Sequence, residues 1–226
     1  FKMEKNPKQI YNGYIKGGIM RGKFIVFEGS DGSGKTTILN NIKEYLDEHG
    51  YDYVLTREPG GTRIAEMVRD ILLSNHDEEM SHRTEALLFA ASRAQHVDQI
   101  IRPNLEKGKL VISDRFYMSS LAYQAYGREL GYDGVMSINE FAIDGIKPDC
   151  TIFFNVDPIT VLNRKKKQVE ADRLESEEDS YHKRVYEGYQ KLLEREDDNL
   201  IIIDARKSIE EVTKASLDKL LEIIGG

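Results

Sequence analysis

The sequence contains no tryptophan and only one cysteine, Cys150. A single cysteine excludes an internal disulfide, and its place at the start of an apolar run predicts a buried thiol in a reducing compartment. No apolar stretch approaches the ~18 residues of a membrane span, and the N-terminus lacks the apolar core of a signal peptide. We therefore expect a cytoplasmic globular protein without a membrane partner.

Positive charge is also scarce. The 39 acidic side chains outnumber the 32 of lysine and arginine, and the formal net charge is -7. Such a chain has no overall positive field to hold a nucleic-acid backbone, so no nucleic-acid partner is expected. A small anionic ligand would need a local concentration of arginine and lysine.

The chain also lacks a Pro- or Ser-rich linker, and its 226 residues fit one domain. Residues 1–19 precede Met20, which looks like a natural start, and we expect them to lie outside the fold. They are a cloning remnant, a start assigned too far upstream or a real extension. Residues 20–226 are predicted to form a single domain, with a lid at about 164–178.

Short apolar runs bounded by polar residues predict strands that are buried on both faces. These runs are 24–27, 53–55, 110–112, 151–154 and 200–203. Helical patterns lie at 35–49, 63–73, 82–106, 119–128, 135–146 and 181–196, and a capping box formed by Ser208 and Glu211 opens a last helix. This alternation predicts an α/β fold, a five-stranded parallel sheet with helices on both faces.

One of these helices, 82–106, carries apolar residues at steps of three and four, which predicts a single apolar stripe packed against the core. The residues of the stripe are Ala86, Leu87, Ala90, Ala94, Val97 and Ile101.

The strongest motif is GSDGSGKT at residues 29–36, placed between a strand and a helix as a phosphate-binding P-loop requires. Its backbone N–H groups can converge on phosphate oxygens, while Lys35 reaches the β- and γ-phosphates and Thr36 offers a hydroxyl to Mg²⁺. Asp114, at the carboxyl end of the third strand, is the expected carboxylate ligand of that ion. The fold is therefore predicted to be the three-layer sandwich of P-loop NTPases. The residues predicted to hold ATP are Gly29, Ser30, Asp31, Gly32, Ser33, Gly34, Lys35, Thr36 and Thr37.

A P-loop does not identify the acceptor of the phosphoryl group. An NKxD motif is absent, which argues against a GTPase and leaves a small-molecule kinase. Five stretches follow in order: REPGGT at 57–62, LFAASR at 88–93, DR at 114–115, SSLAYQ at 119–124 and DRLE at 172–175. This ordered set resembles thymidylate kinase over about residues 23–204. The resemblance implies transfer of the γ-phosphoryl group of Mg·ATP to dTMP, and a homodimer whose interface the apolar stripe could supply.

The same resemblance assigns residues to the acceptor. Arg57 and Arg115 match arginines that hold the 5'-phosphate, a task suited to guanidinium groups. Phe89 matches the ring that stacks on thymine, and Arg93, one helical turn later, matches the donor to a base carbonyl.

Four more positions complete the implied acceptor site. Ser120 and Gln124 match positions at the thymine edge, and Tyr123 matches the ring that packs on the deoxyribose and disfavours a 2'-hydroxyl. Asp31 matches a carboxylate near the acceptor's sugar and phosphate, although hydrogen bonding within the loop is an equally weighted alternative.

Gly32 stands where some thymidylate kinases carry a P-loop arginine. The basic segment 164–173 fits a lid that supplies this charge instead, as in bacterial-type members, with Arg173 as first candidate and Arg164 as second. The lysines at 165–167 are more typical of a solvated helix face. The predicted catalytic residues are Lys35, Arg115, Arg173 and Asp31.

Two other functions remain possible at this point. One is a related deoxynucleotide or deoxynucleoside kinase with another acceptor, and the other is a nucleotide-binding module without turnover. The intact P-loop and the Asp114–Arg115 pair argue against the second. Tyr123, Arg93 and Gln124 favour a pyrimidine deoxynucleotide.

Overall fold

The computed structural model describes residues 14–15, 18–19, 21–157, 172–195 and 199–225. Its main feature is a five-stranded sheet in which all neighbouring strands are parallel, in the order β4-β5-β3-β6-β7. The strands are β1 (Tyr14–Ile15), β2 (Gly18–Ile19), β3 (Phe24–Glu28), β4 (Tyr53–Arg57), β5 (Leu110–Asp114), β6 (Cys150–Asn155) and β7 (Leu200–Asp204). The predicted α/β class is confirmed. The five central strands extend beyond the apolar runs because polar residues at their ends still pair with a neighbour.

Helices connect the strands, as the sequence pattern predicted. They are α1 (Lys35–Glu48), α2 (Arg63–Leu73), α3 (His82–His96), α4 (Arg102–Glu106), α5 (Tyr117–Ser120), α6 (Tyr132–Ile143), α7 (Asp179–Leu193) and α8 (Ile209–Gly225). The capping box at the start of α8 is present, since Ser208 N donates to Glu211 Oε2 and Glu211 N donates to Ser208 Oγ.

In the part of the chain that the structure describes, two π-helical turns interrupt the helices. Val97–Ile101 joins α3 to α4, and Leu121–Gly127 follows α5. The first ends two residues before Pro103, which cannot donate a backbone hydrogen bond to the preceding turn. The predicted helix 82–106 is thus one continuous run with a widened turn.

Both faces of the sheet are covered. Ile25 and Phe27 pack with buried residues of α1 and α8, whereas Phe24 and Val26 point to the other face and pack with Val97–Ile101, α4 and α6. This alternation along β3 is the expected result of a strand between two helical layers.

Two predictions need comment. Leu87 was predicted to lie on the packed stripe of α3, but it is 56% exposed, whereas Ala86 and Ala90 are buried. Cys150 is buried, as predicted.

The N-terminal strands β1 and β2 pair with each other in a separate antiparallel sheet and do not join the central one. In the described part of the chain, no helix is both long enough and apolar enough to cross a membrane.

Candidate active site

The P-loop leaves the carboxyl end of β3 and enters α1. Gly29 has a φ of +144°, and a Cβ there would lie 2.8 Å from the carbonyl oxygen of Phe154, so a side chain would collide with the neighbouring strand. Gly32 has a φ of 79°, a left-handed conformation that favours glycine. The helix begins after Gly34 without a side-chain cap, which leaves the N–H groups of its first turn available to an anion.

Lys35 is the buried cation of this loop. Its Nζ donates to the carbonyl oxygens of Gly29 at 2.9 Å and Ser30 at 3.4 Å. Burial, followed by the positive charge of Arg115, lowers its pKa. An anion beside Lys35 would relieve both effects, so the site is electrostatically suited to a phosphate.

The loop forms one wall of a first cleft, the P-loop cleft. It is lined by residues 31–38 together with Arg57, Glu58, Arg69, Asp114, Arg115, Asp172, Glu175, Ala205, Lys207, Ser208, Ile209 and Val212. Ala205, Lys207 and Ser208 follow β7, so the turn between β7 and α8 forms part of the wall of this cleft.

Sheet register explains why distant residues meet here. Asp114 pairs with Phe27 of β3 on one side and with Arg57 of β4 on the other. The three strands therefore end at one level, which is where ligands of open α/β sheets bind.

Asp114 has one oxygen, Oδ1, that is buried and has no hydrogen-bond partner among the described residues. The residue lines the same cleft as Thr36. A buried carboxylate oxygen without a donor is costly unless a cation occupies the position beside it. Among the described residues no cluster of three or more His, Cys, Asp or Glu could hold a metal ion by itself, so this site fits Mg²⁺ that takes its remaining ligands from phosphates and water.

A second cleft, the inner cleft, lies deeper between α3, α5 and the turn that follows residue 171. It is lined by Asp31, Glu58, Pro59, Arg69, Leu73, Phe89, Arg93, Arg115, Ser119, Ser120, Tyr123, Gln124, Asp172 and Leu174. All of the residues predicted for the acceptor except Arg57 line this cleft: Asp31, Phe89, Arg93, Arg115, Ser120, Tyr123 and Gln124.

Arg93 is held rigidly in the wall of the inner cleft. It is 2% exposed, and its guanidinium donates to Glu58 Oε2 at 2.7 Å, Ser120 Oγ at 3.0 Å, the Phe116 carbonyl at 3.1 Å and Asn139 Oδ1. Four of its five N–H groups are thus used. Within the described residues the fifth has no acceptor, so it can serve a ligand in the cleft.

Arg115 stands at the mouth of the same cleft in an unusual backbone conformation, with a φ of 70°. Its Nη2 forms an ion pair with Asp31 and lies 3.3 Å from Tyr123 Oη, which in turn donates to Asp31 Oδ2 at 2.6 Å. Although burial alone would lower it, Asp31 and Tyr123 raise the pKa of Arg115, and the residue stays charged. Left-handed backbone at a non-glycine residue is typical of functional positions.

Glu28, the last residue of β3, fixes the segment that carries Arg115. It is fully buried and accepts hydrogen bonds from the backbone N–H groups of Phe116 at 2.9 Å and Ser119 at 3.1 Å, and from Tyr189 Oη at 3.2 Å. Burial raises its pKa, and nearby Arg115 opposes that rise. The sequence offered a signal, an acidic residue ending a buried apolar strand, that our interpretation did not use.

Arg69 of α2 is a second residue that the sequence analysis missed. Its Nη1 donates to the Pro59 carbonyl at 2.8 Å, and it lines both clefts. Burial and the charge of Arg57 lower its pKa. An overlooked signal was its spacing, because Arg69 shares a helix face with the buried Ala65 and Leu72.

Two predicted arginines lie apart from the inner cleft. Arg57 is half-exposed, pairs with Glu66 Oε2 at 2.8 Å and lines the P-loop cleft but not the inner cleft. Arg173 lines neither of these clefts. Its Nε donates to the Leu72 carbonyl at 2.7 Å and its Nη2 to Glu85 Oε2 at 2.8 Å. Arg164 and the lysines at 165–167 lie outside the described residues.

The two clefts meet. Asp31, Glu58, Arg69, Arg115 and Asp172 line both of them. Two arginines at this junction can bring a phosphate bound by the P-loop close to one carried by a molecule in the inner cleft, which is the arrangement that phosphoryl transfer requires.

Comparisons with known proteins agree with this geometry. A family model described as thymidylate kinase matches residues 27–215. The chain is 53% identical to the thymidylate kinase of Finegoldia magna over 87% of this chain and 97% of that protein. It is 49% identical to the thymidylate kinase of Geobacillus sp. (strain WCH70) over 92% of this chain and 100% of that protein. It is 46% identical to the thymidylate kinase of Exiguobacterium sp. over 90% of this chain and 96% of that protein.

Proposed function

The chain belongs to the thymidylate kinase family and phosphorylates dTMP with ATP, and on this premise we propose which residues carry out each part of the reaction. The observation that carries the assignment is the junction of the two clefts. ATP lies in the P-loop cleft, dTMP lies in the inner cleft, and their phosphates meet beside Arg115 and Arg69.

The P-loop holds the donor. The N–H groups at the start of α1 and the Lys35 ammonium bind the phosphates of ATP, with Gly29, Ser30, Gly32, Ser33, Gly34 and Thr37 shaping the loop. Thr36 and the unpaired Oδ1 of Asp114 would hold Mg²⁺, which when bound neutralises phosphate charge. Ala205, Lys207 and Ser208, in the turn after β7, line the same cleft and would contact the adenosine of ATP.

The inner cleft orients the acceptor. Phe89 stacks on thymine, the remaining N–H of Arg93 donates to a base carbonyl, and Ser120 and Gln124 complete the base edge. Tyr123 packs on the deoxyribose and disfavours a 2'-hydroxyl, and its own hydroxyl is held by Asp31.

Cations at the junction stabilise the transferred group. The guanidinium of Arg115 leaves Asp31 and pairs with the phosphate of dTMP. Arg69 of α2 and Arg57 of β4 add positive charge beside the same phosphate. Arg173 and Arg164, the two cations named from the sequence, complete the charge that Gly32 does not supply, which requires Arg173 to leave Glu85.

A coupled assay of ADP release tests this assignment with a panel of deoxynucleoside monophosphates and deoxynucleosides. We expect dTMP to be the best acceptor and the Lys35→Ala variant to be inactive while folded. Faster turnover of a purine monophosphate or of a free deoxynucleoside would overturn the assignment of the inner cleft.

We also propose that the protein is a homodimer formed through α2, α3 and α6. These helices pack side by side, since α3 contacts both of the others. They carry five of the large exposed hydrophobic side chains, at 46–88% exposure, which are Ile64, Met67, Ile71, Leu87 and Phe141. An apolar surface of this extent on three adjoining helices is typical of an interface, and a second copy would bury it.

Sedimentation equilibrium tests this interface. The Met67→Glu variant should be monomeric at concentrations where the wild type is dimeric. Ile202→Glu, which changes an equally apolar exposed residue on β7, is the matched control and should remain dimeric. A dimeric Met67→Glu variant would exclude this face.

The single thiol, Cys150, is buried and forms no disulfide, which supports a cytoplasmic location for the reaction.

A further inference from the structure

A buried carboxylate outside both clefts organises the base end of the inner cleft. Glu85, in the first turn of α3, is fully buried. Its Oε1 accepts hydrogen bonds from Gln124 Nε2 at 3.0 Å and Arg128 Nε at 3.2 Å, and its Oε2 accepts from Arg128 Nη2 at 2.9 Å and Arg173 Nη2 at 2.8 Å. Every one of these neighbours is a donor.

The charge state of Glu85 follows from these partners. Burial alone would raise its pKa, but the hydrogen bonds and charge of Arg128, with the bonds from Gln124 and Arg173, outweigh burial and lower it. At neutral pH Glu85 is therefore an ionised carboxylate, which can only accept hydrogen bonds.

An acceptor-only neighbour fixes the orientation of the Gln124 amide. The two ends of an amide have nearly the same shape, so their orientation depends on the partners around them. With Glu85 ionised, the NH₂ end must face the carboxylate, because the opposite orientation would set the amide oxygen against a negative charge. The amide oxygen Oε1 is then directed to the other side.

That other side is the inner cleft. Gln124 lines the cleft, and within the described residues no donor reaches its Oε1. The atom is also not among the side-chain atoms that are buried without a partner, so it opens to the cleft. A base in the cleft therefore meets a hydrogen-bond acceptor at this position.

We propose that Glu85 is a specificity-determining positioning residue, which holds Gln124 so that its carbonyl oxygen accepts the ring N3–H of a 2,4-dioxopyrimidine and repels the N3 lone pair of cytosine. This inference rests on the proposed placement of the base in the inner cleft. It makes thymine and uracil equivalent at N3, so discrimination between those two bases belongs to other residues.

The test compares kcat/KM for dTMP, dUMP and dCMP in the Glu85→Gln variant. A neutral amide at position 85 lets Gln124 turn, so that one hydrogen bond to thymine is lost and one to cytosine is gained. The ratio of dTMP to dCMP should fall by about tenfold or more, while the ratio of dTMP to dUMP stays unchanged. A general loosening of the site would lower kcat/KM for all three substrates together and leave the ratio of dTMP to dCMP unchanged. That result would overturn the proposal.

Glu177→Gln is the matched control. Glu177 also pairs with Arg128, but among the described residues no hydrogen bond joins it to Gln124, so the same chemical change should leave the ratio of dTMP to dCMP at the wild-type value. A fall of the ratio in this variant equal to that in Glu85→Gln would assign the effect to Arg128 and overturn the role of Glu85.

A further pair of measurements applies whether or not Glu85→Gln folds. The double variant Glu85→Gln/Gln124→Glu keeps the total charge and again presents an oxygen to the cleft, so it should restore the preference for dTMP over dCMP. In the wild type, dTMP methylated at N3 should be at least tenfold poorer than dTMP. Equal use of the methylated nucleotide would refute an acceptor at this position, whereas failure of the wild type to use dTMP at all would refute the proposed function instead.

Discussion

Replacing Arg93 by lysine tests how much of the inner cleft depends on guanidinium geometry. Arg93 is 2% exposed and serves four buried acceptors, on Glu58, Ser120, Phe116 and Asn139. An ammonium group keeps the charge but has only three donors, so at least one buried acceptor loses its partner. Each such loss costs about 1–3 kcal/mol.

This cost predicts two measurable changes. For a domain of this size, a loss of 1–3 kcal/mol corresponds to a decrease in Tm of about 2–12 °C. The lysine also loses the free N–H that faces the base, a charge-assisted hydrogen bond of about 1.5–3 kcal/mol, so kcat/KM for dTMP should fall by about 10–150-fold.

Thermal unfolding by circular dichroism and the ADP-release assay measure both quantities. Arg83→Lys, at an exposed position of the same helix, is the control and should change neither. If Arg93→Lys matched the wild type in Tm and in kcat/KM, the four-acceptor network would not need a guanidinium, and the argument for a rigid donor in the cleft would fail.

Three other perturbations bear on the same site. Arg173→Ala should lower kcat more than it raises KM for dTMP, because the lid cation is needed most in the transition state, and an unchanged kcat in single-turnover experiments would remove Arg173 from the mechanism. Asp114→Asn should raise the Mg²⁺ concentration for half-maximal turnover by tenfold or more, since the unpaired Oδ1 loses its charge, and an unshifted Mg²⁺ titration would place the metal elsewhere. The stabilisation from Glu85 should be complete above its ordinary pKa of 4.5 and be lost as the pH falls through its lowered folded-state pKa. The Tm of Glu85→Gln should therefore depend less on pH than that of the wild type between about pH 5 and 3, and parallel profiles would contradict the lowered pKa.

Much of the donor site was predictable from the sequence because it is built from contiguous residues. The glycines of residues 29–36, the apolar strand before them and the helix after them lie within one stretch of chain, and their conformations depend mainly on neighbours in that stretch. The order of motifs from residue 57 to residue 175 likewise identified the family that the comparisons confirmed.

The acceptor site was predictable only through the family resemblance. Phe89, Arg93, Ser120, Tyr123 and Gln124 come from two separate parts of the chain, and neither part carries a local pattern that places it at a cleft. For Phe89 alone, core packing would have been the better interpretation, and residues 119–124 alone indicate only the start of a helix.

The sequence by itself determined the P-loop, the alternation of strands and helices, and the family, since each follows from patterns among residues close in the chain. Only the tertiary structure decided which charged side chains pair. Glu28 meets Ser119, Arg69 reaches both clefts, Leu87 stays exposed, and Glu85 joins Gln124 to Arg173. These contacts join segments that are tens of residues apart, and the packing of α2, α3 and α5 around the sheet sets their partners.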